Sequence, residues 1–263
     1  CRPVIIIEEW KMRKKKRKII LDIVIAVSSA VLLLALLYLG SLYINYNKSN
    51  QEYETIKENA IEEGQEEESE ECFEIDWEYL HSINPDVVAW IRFPNMDISY
   101  PIVQGDSNNE YLHTTVEGTY AYAGSIFMDS ACSSAFTDDN TVIYGHNMRN
   151  LSMFGRLKLL YRDPDLLQEN EYFWIYTEDY TYKYDIFALG YAQIANENFH
   201  FVNGTAAMKQ DYIDFCMENT MYEMPVEASV NDSIVTLSTC TTTSSDTERF
   251  QVHAIRTDTL PNG

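Results

Sequence analysis

Cys240 is the side chain in this sequence best placed to act as a nucleophile. It closes a largely apolar run, Ile234 to Thr239, where the chain turns into a loop rich in Thr and Ser. Strand ends that lead into loops are common positions for catalytic side chains. A cysteine thiolate attacks a carbonyl carbon when a nearby base and a donor for the oxyanion assist it. We therefore predict covalent catalysis at Cys240.

Arg249 is the candidate donor for that oxyanion. The residues from Arg249 to Ile255 predict a strand that returns after the eight-residue loop 241–248. If this strand pairs with the preceding one as an antiparallel neighbour, Arg249 lies beside Cys240 and brings a guanidinium close to the thiol. The sequence alone leaves a second interpretation open, in which Arg249 is an ordinary surface arginine next to Glu248.

His146 is the candidate general acid and base among five histidines. It follows the apolar segment Thr141 to Gly145, so it also stands at the end of a predicted strand. Structural roles are predicted for the other four, which lie on a helix, in polar surroundings or within the last strand: His81, His113, His200 and His253.

The remaining cysteines show no disulfide framework and no paired CxxC motif. Cys216 lies on the apolar face of a predicted helix at 206–219, so we interpret it as a small core residue. A bridge between Cys72 and Cys132 stays possible, and Cys1 indicates an incomplete N-terminus. Nothing in the sequence requires a metal or another cofactor.

The first 44 residues predict a membrane anchor. Residues 13–18 are all basic, and residues 19–44 carry only one charge, at Asp22. A helix of about 20 apolar residues spans a bilayer, whereas the apolar core of a cleavable signal peptide usually has about 7 to 15. We therefore favour one transmembrane helix at 19–44 over a signal peptide. The positive-inside rule places segment 1–18 in the cytoplasm and the rest of the chain outside the cell.

Charge and composition divide the rest of the chain in two. Residues 45–72 are polar, with eight Glu between Glu58 and Glu71, and predict an extracellular spacer that is helical in part. Residues 73–263 predict a folded domain with many short strands rich in Val, Ile, Tyr and Phe, as in a sandwich or barrel. The net charge of −22 excludes a nucleic-acid binder with an overall basic surface.

Several ordered segments resemble the sortases, which are membrane-anchored cysteine transpeptidases of Gram-positive bacteria. The general pattern is TVIYGHN at 141–147, TLSTC at 236–240 and Arg249 on the next strand. Further segments are similar to class B sortases: NPDVVAWIRFPNMDISYPIVQGDSNNEYL at 84–112, AGSIFMD at 123–129 and YGHNMRNLSMFGRLKLL at 144–160. The resemblance covers residues 73–257 and implies a mainly β fold, a closed barrel of about eight strands with N-terminal helices and an inserted helix before the penultimate strand.

The resemblance also implies roles for individual residues. Cys240 would be the nucleophile, His146 the general acid and base, and Arg249 the donor that steadies the oxyanion, while Tyr144 and Ser238 would line the substrate groove. Some class B members have an Asp two residues after the nucleophile. Here that position is Thr242, so a role for the nearby Asp246 is open.

The implied reaction has two partners. The first is a secreted protein with a C-terminal sorting signal of the Asn-Pro-x-Thr type, and the second is an amine of a peptidoglycan cross-bridge or lipid-linked precursor. Two other functions fit an anchored β-rich domain: a non-enzymatic receptor or adhesin ectodomain, and a cysteine protease that releases its product to water.

Overall fold

Helix α1 (Arg2–Ala60) occupies the N-terminal part of the chain. The computed structural model describes residues 2–61, 73–196, 198–240 and 247–262. The chain divides into two compact units, Cys1–Lys48 and Ser49–Gly263. Within the first unit, the segment Met12–Ser41 contains an 18-residue window with a mean hydropathy of 2.8 and no buried residues. By length and composition it can cross a membrane.

The second unit contains eight strands that close into a barrel in the order β1-β2-β3-β4-β7-β8-β6-β5. Their bounds are β1 Val87–Phe93, β2 Met96–Val103, β3 Ile126–Met128, β4 Asn140–Gly145, β5 Tyr172–Tyr176, β6 Tyr180–Gln193, β7 Ile234–Cys240 and β8 Glu248–Pro261. Strand β7 pairs in parallel with β4 and antiparallel with β8. The prediction of a closed barrel of about eight strands is therefore confirmed.

Large side chains of the strands are buried in the core of the barrel unit. Trp90, Phe173, Leu237 and Val252 have no exposed surface. Each such side chain contributes about 1.5–3 kcal/mol relative to an exposed position. The indole Nε1 of Trp90 donates a hydrogen bond to Ser99 Oγ at 3.0 Å, which satisfies its polar atom. Burial of these side chains stabilises the barrel that carries β7 and β8.

Two predicted helices flank the strands. Helix α2 (Trp77–Ile83) begins at Asp76, whose carboxylate accepts a hydrogen bond from the backbone N–H of Tyr79 at 2.8 Å. Helix α5 (Ala206–Asn219) has the predicted bounds and begins at Thr205, whose hydroxyl accepts from the N–H of Met208. The buried face of α5 includes Cys216, a free thiol in the apolar core. The inserted helix therefore precedes β7, as predicted.

The connection between β4 and β5 is helical, which the sequence did not predict. It consists of a 3-10 turn (Phe154–Arg156), helix α3 (Leu157–Arg162) and helix α4 (Pro164–Glu169). Asp163 caps α4 through hydrogen bonds from two backbone N–H groups. These elements are six residues or shorter, so their periodicity is too brief to be recognised as helical.

The end of α1 packs against the barrel unit. Tyr53, Ile56 and Ala60 are buried, and the Tyr53 hydroxyl donates to the Gly124 carbonyl oxygen at 2.7 Å. The second unit begins at Ser49, whereas the sequence-based domain boundary is at residue 73. The difference arises because the high Glu content of residues 45–72 predicts a solvated spacer, although a few apolar residues at helical spacing lie within this segment. The rest of the predicted spacer, residues 62–72, lies outside the described residues, as do Cys72 and Cys1.

Candidate active site

The registers of three adjacent strands bring the predicted site residues into one row. Cys240 at the end of β7 pairs with Arg249 on β8, and Thr239 pairs with Gly145 on β4. His146 follows Gly145 directly, so it stands level with Cys240 on the other side. The prediction that Arg249 lies beside Cys240 is confirmed by this register. Two strands that neighbour β7 thus position a histidine and an arginine on either side of the cysteine backbone.

Gly145 allows the chain to reach His146 at this crowded edge. A Cβ atom there would lie 2.5 Å from Ile126 Cδ1 and 2.7 Å from the ring of Phe154. Both neighbours are buried parts of the core. Any side chain at position 145 would therefore displace β4 and, with it, the next residue.

The hydrogen bond of His146 defines its tautomer. Its Nε2 lies 2.8 Å from the carbonyl oxygen of Leu112. A carbonyl oxygen only accepts, so Nε2 carries the hydrogen and Nδ1 of the neutral ring has the free lone pair. Burial lowers the pKa of His146, and the nearby His113 and Arg249 lower it further, against the opposing effect of the Leu112 bond. His146 is thus favoured as a neutral base at Nδ1.

Two aromatic side chains pack on the His146 ring. The ring centroids of His113 and His146 are 5.2 Å apart with an interplanar angle of 24°, and the Tyr122 centroid lies 5.4 Å from that of His146. The polar surroundings of His113 in the sequence gave no signal for this contact. It depends on the path of a loop between β2 and β3, which strand periodicity does not report.

A groove of about 280 Å³ borders the row. Its walls include Tyr144, Ser238, Phe199 and Arg249. The guanidinium Nη1 of Arg249 donates to the Glu248 carbonyl oxygen at 2.8 Å. The Ser238 hydroxyl oxygen is buried and has no hydrogen-bond partner in the part of the chain that the structure describes. Both predicted groove residues, Tyr144 and Ser238, therefore border this cavity.

A buried carboxylate supports one wall of this groove. The Asp129 side chain is only 1% exposed, and its Oδ2 accepts hydrogen bonds from Tyr144 Oη at 2.9 Å and Asn108 Nδ2 at 2.8 Å. His200 Nε2 lies 3.1 Å from the same oxygen. Burial alone would raise the pKa of Asp129, but hydrogen bonds from His200, Ala131 N–H and Tyr144 hold it at about 2.

His200 is correspondingly easier to protonate. Its hydrogen bond to Asp129 raises its pKa, although partial burial opposes this effect. His200 was predicted to have a structural role, and its contact with the groove wall could not be recognised from its polar neighbours in sequence. Within the described segments, no group of three or more His, Cys, Asp or Glu side chains could hold a metal ion.

Comparison with known proteins identifies the family. The sortase domain family matches residues 91–257. The chain belongs to the sortase family. Sortase B of Listeria monocytogenes serovar 1/2a is 35% identical over 166 residues, covering 62% of this chain and 66% of that protein. Sortase B of Staphylococcus aureus is 30% identical over 180 residues, covering 66% and 70%. The sortase described here thus spans about two thirds of the length of the curated relatives it matches.

Solved structures agree with this assignment. The crystal structure of sortase B from B. anthracis in complex with AAEK1 has a TM-score of 0.69 and 27% identity, covering 81% of this chain and 98% of that chain. The Staphylococcus aureus sortase B–substrate complex has a TM-score of 0.63 and 27% identity, covering 68% and 83%. The resemblance to class B sortases is confirmed, and membership of a family of cysteine transpeptidases disfavours a non-enzymatic receptor or adhesin.

Proposed function

We propose that this sortase is a class B cysteine transpeptidase that attaches a secreted protein to the cell wall. It cleaves a C-terminal sorting signal and transfers the new acyl end, through a thioester on Cys240, to an amine of peptidoglycan or its lipid-linked precursor. The observation that carries the proposal is the row of His146, Cys240 and Arg249, which follow or lie on three adjacent strands.

The first half of the reaction forms the thioester. The Cys240 thiol loses its proton to the neutral His146 at Nδ1, and the thiolate attacks the scissile carbonyl carbon. The negative charge that develops on the carbonyl oxygen is stabilised by Arg249, a contribution of about 3–4 kcal/mol for a preorganised donor. His146 then returns the proton to the departing amine.

The second half of the reaction regenerates the thiol. An amine attacks the thioester carbonyl carbon, a C–N bond forms, and the C–S bond breaks. The sorting signal would occupy the groove that Tyr144 and Ser238 border. All steps use protein side chains.

Replacement of Cys240 tests the assignment directly. Cys240→Ala should abolish both cleavage of a sorting-signal peptide and transfer to an added amine. The matched variant Cys216→Ala, at a buried thiol in the core, should keep both activities. Intact-mass measurement of the acyl-enzyme checks the intermediate. Full turnover by Cys240→Ala would refute the proposal, and hydrolysis without transfer in the presence of amine would favour the protease alternative.

Replacement of Arg249 tests the oxyanion donor. Arg249→Lys keeps the charge but removes the planar fork of donors. We expect kcat to fall about 10²-fold, the usual loss for one oxyanion donor. Turnover equal to that of the wild type would limit Arg249 to a structural role.

The location of the enzyme follows from the N-terminal helix. We propose that residues 19–44 anchor the chain in the cell membrane in a single pass, with segment 1–18 in the cytoplasm and the catalytic domain outside. Its length and hydropathy support this placement. Protease digestion of intact cells should remove the catalytic domain, and protection of that domain would contradict the orientation.

A further inference from the structure

Two exposed tyrosines lie on a loop next to His146. Tyr120 and Tyr122 are 78% and 67% exposed. Among the described residues of the barrel unit, Tyr120 is the most exposed large apolar side chain. Their rings approach His113 with centroid distances of 6.1 and 5.7 Å. Tyr122 also packs on the His146 ring. Neither tyrosine lines the groove that borders Ser238.

Backbone hydrogen bonds hold this loop in a defined shape. The N–H of Thr115 donates to Thr119 O at 2.8 Å, and the N–H of Ala121 donates to His113 O at 3.0 Å. The loop is also tied to α1, since the N–H of Glu117 donates to Glu52 Oε1 at 3.0 Å. The two tyrosines are therefore presented in fixed positions, and a ligand would not have to order them.

The chemistry of the second half-reaction requires a ligand at this place. When the acyl group is bound to Cys240, its peptide fills the groove. The incoming amine must deliver a proton to His146, the group that protonated the departing amine, so it must approach the His146 end of the row. A primary amine is an ammonium ion near neutral pH, and the faces of tyrosine rings attract such cations.

We propose that Tyr120 and Tyr122 form the docking surface for the acceptor amine of peptidoglycan, which arrives as an ammonium ion. This inference rests on the proposed function. The tyrosine faces hold the ammonium group beside His146 until Nδ1 removes a proton. The free amine nitrogen then attacks the thioester carbonyl carbon, the C–N bond forms and the C–S bond breaks. His146 passes its proton to the departing Cys240 thiolate, then takes the second proton from the new amide nitrogen and releases it to solvent.

The test separates the two half-reactions of the full chain in detergent. Acyl-enzyme formation is followed by intact mass, and transfer is followed as a function of amine concentration. The amine probe is the tripeptide Ala-Glu-Lys, and the second nucleophile is hydroxylamine, which is uncharged at neutral pH. Tyr120→Ala should raise the half-saturating concentration of the tripeptide about fivefold, as expected for loss of one exposed cation–π contact. Hydroxylamine should show no such increase.

Two further variants complete the test. Tyr120→Phe keeps the ring face and should retain the wild-type half-saturating concentration. Tyr180→Ala, at an exposed tyrosine on β6 away from the row, should behave as wild type. An unchanged tripeptide dependence in Tyr120→Ala, or an equal loss with hydroxylamine, would overturn the docking surface. If the wild-type chain forms no acyl-enzyme, the proposed function is wrong, and so is this inference.

Discussion

Replacement of Asp129 by Asn should destabilise the barrel unit measurably. The substitution puts an amide where Oδ2 now accepts from Tyr144 and Asn108 and pairs with His200. The folded protein holds the pKa of Asp129 at about 2, against an ordinary value of 3.8. At 1.36 kcal/mol per pKa unit, the ionised carboxylate contributes about 2 kcal/mol to folding. Because the folded pKa is depressed, this contribution is present above about pH 4 and disappears as the pH falls towards 2.

Thermal unfolding at pH 6, followed by near-UV circular dichroism of the detergent-solubilised chain, measures this loss. In a unit of this size 1 kcal/mol corresponds to about 2–4 °C, so we expect Tm to fall by about 4–8 °C. The control is Asp97→Asn, at a carboxylate that is 66% exposed and 2.7 Å from Arg156. An exposed pair contributes at most about 1 kcal/mol. If Asp129→Asn lowers Tm no more than Asp97→Asn does, the carboxylate does not stabilise the groove wall.

Three other predictions concern the same unit. His200→Gln should lower the free energy of unfolding by about 1 kcal/mol at pH 5.5 and by less at pH 9. The protonated His200 stabilises the fold below its ordinary pKa, and this contribution is lost as the pH rises through the raised pKa. Equal decreases at both pH values would contradict this prediction. Ile56→Ala should lower the free energy of unfolding by about 2–5 kcal/mol, while the exposed Glu58→Ala changes it little; equal effects would show that the end of α1 is dispensable. In a Cys240→Ser background, a methanethiosulfonate reagent should modify Cys132 and Cys216 only after denaturation. Both thiols are buried, and burial raises the pKa of both, that of Cys132 to about 12. Peptide mapping of the treated native protein measures this, and modification of either cysteine would contradict the prediction.

The sequence predicts the parts of the site that follow from strand pairing. An eight-residue loop between two β segments is short enough to make them antiparallel neighbours, and this fixes Arg249 beside Cys240. The strand before His146 is also predicted from its apolar residues. Each of these assignments depends on a short run of apolar and β-branched residues followed by turn residues.

The parts that the sequence does not predict depend on contacts between distant segments. His113 reaches His146 through a loop, and His200 reaches Asp129 from a separate connection 71 residues away. No local periodicity reports such contacts. The end of α1 is a different case, because Tyr53 and Ile56 do show helical spacing but lie in a segment whose charge is typical of a solvated spacer.

The position of β8 between β7 and β6 also bears on how the enzyme is made. A chain is synthesised from its N-terminus, and β8 is the last strand of the barrel. It pairs with β6 along most of its length and with β7 from Arg249 to Ile255. Pairings between segments far apart in sequence form slowly, because the chain must close long loops first. Arg249 can lie beside Cys240 only after β8 has been synthesised and has paired with β7. A chain that ends before β8 carries the thiol without Arg249, so we expect transpeptidation to begin only after β8 has paired with β7.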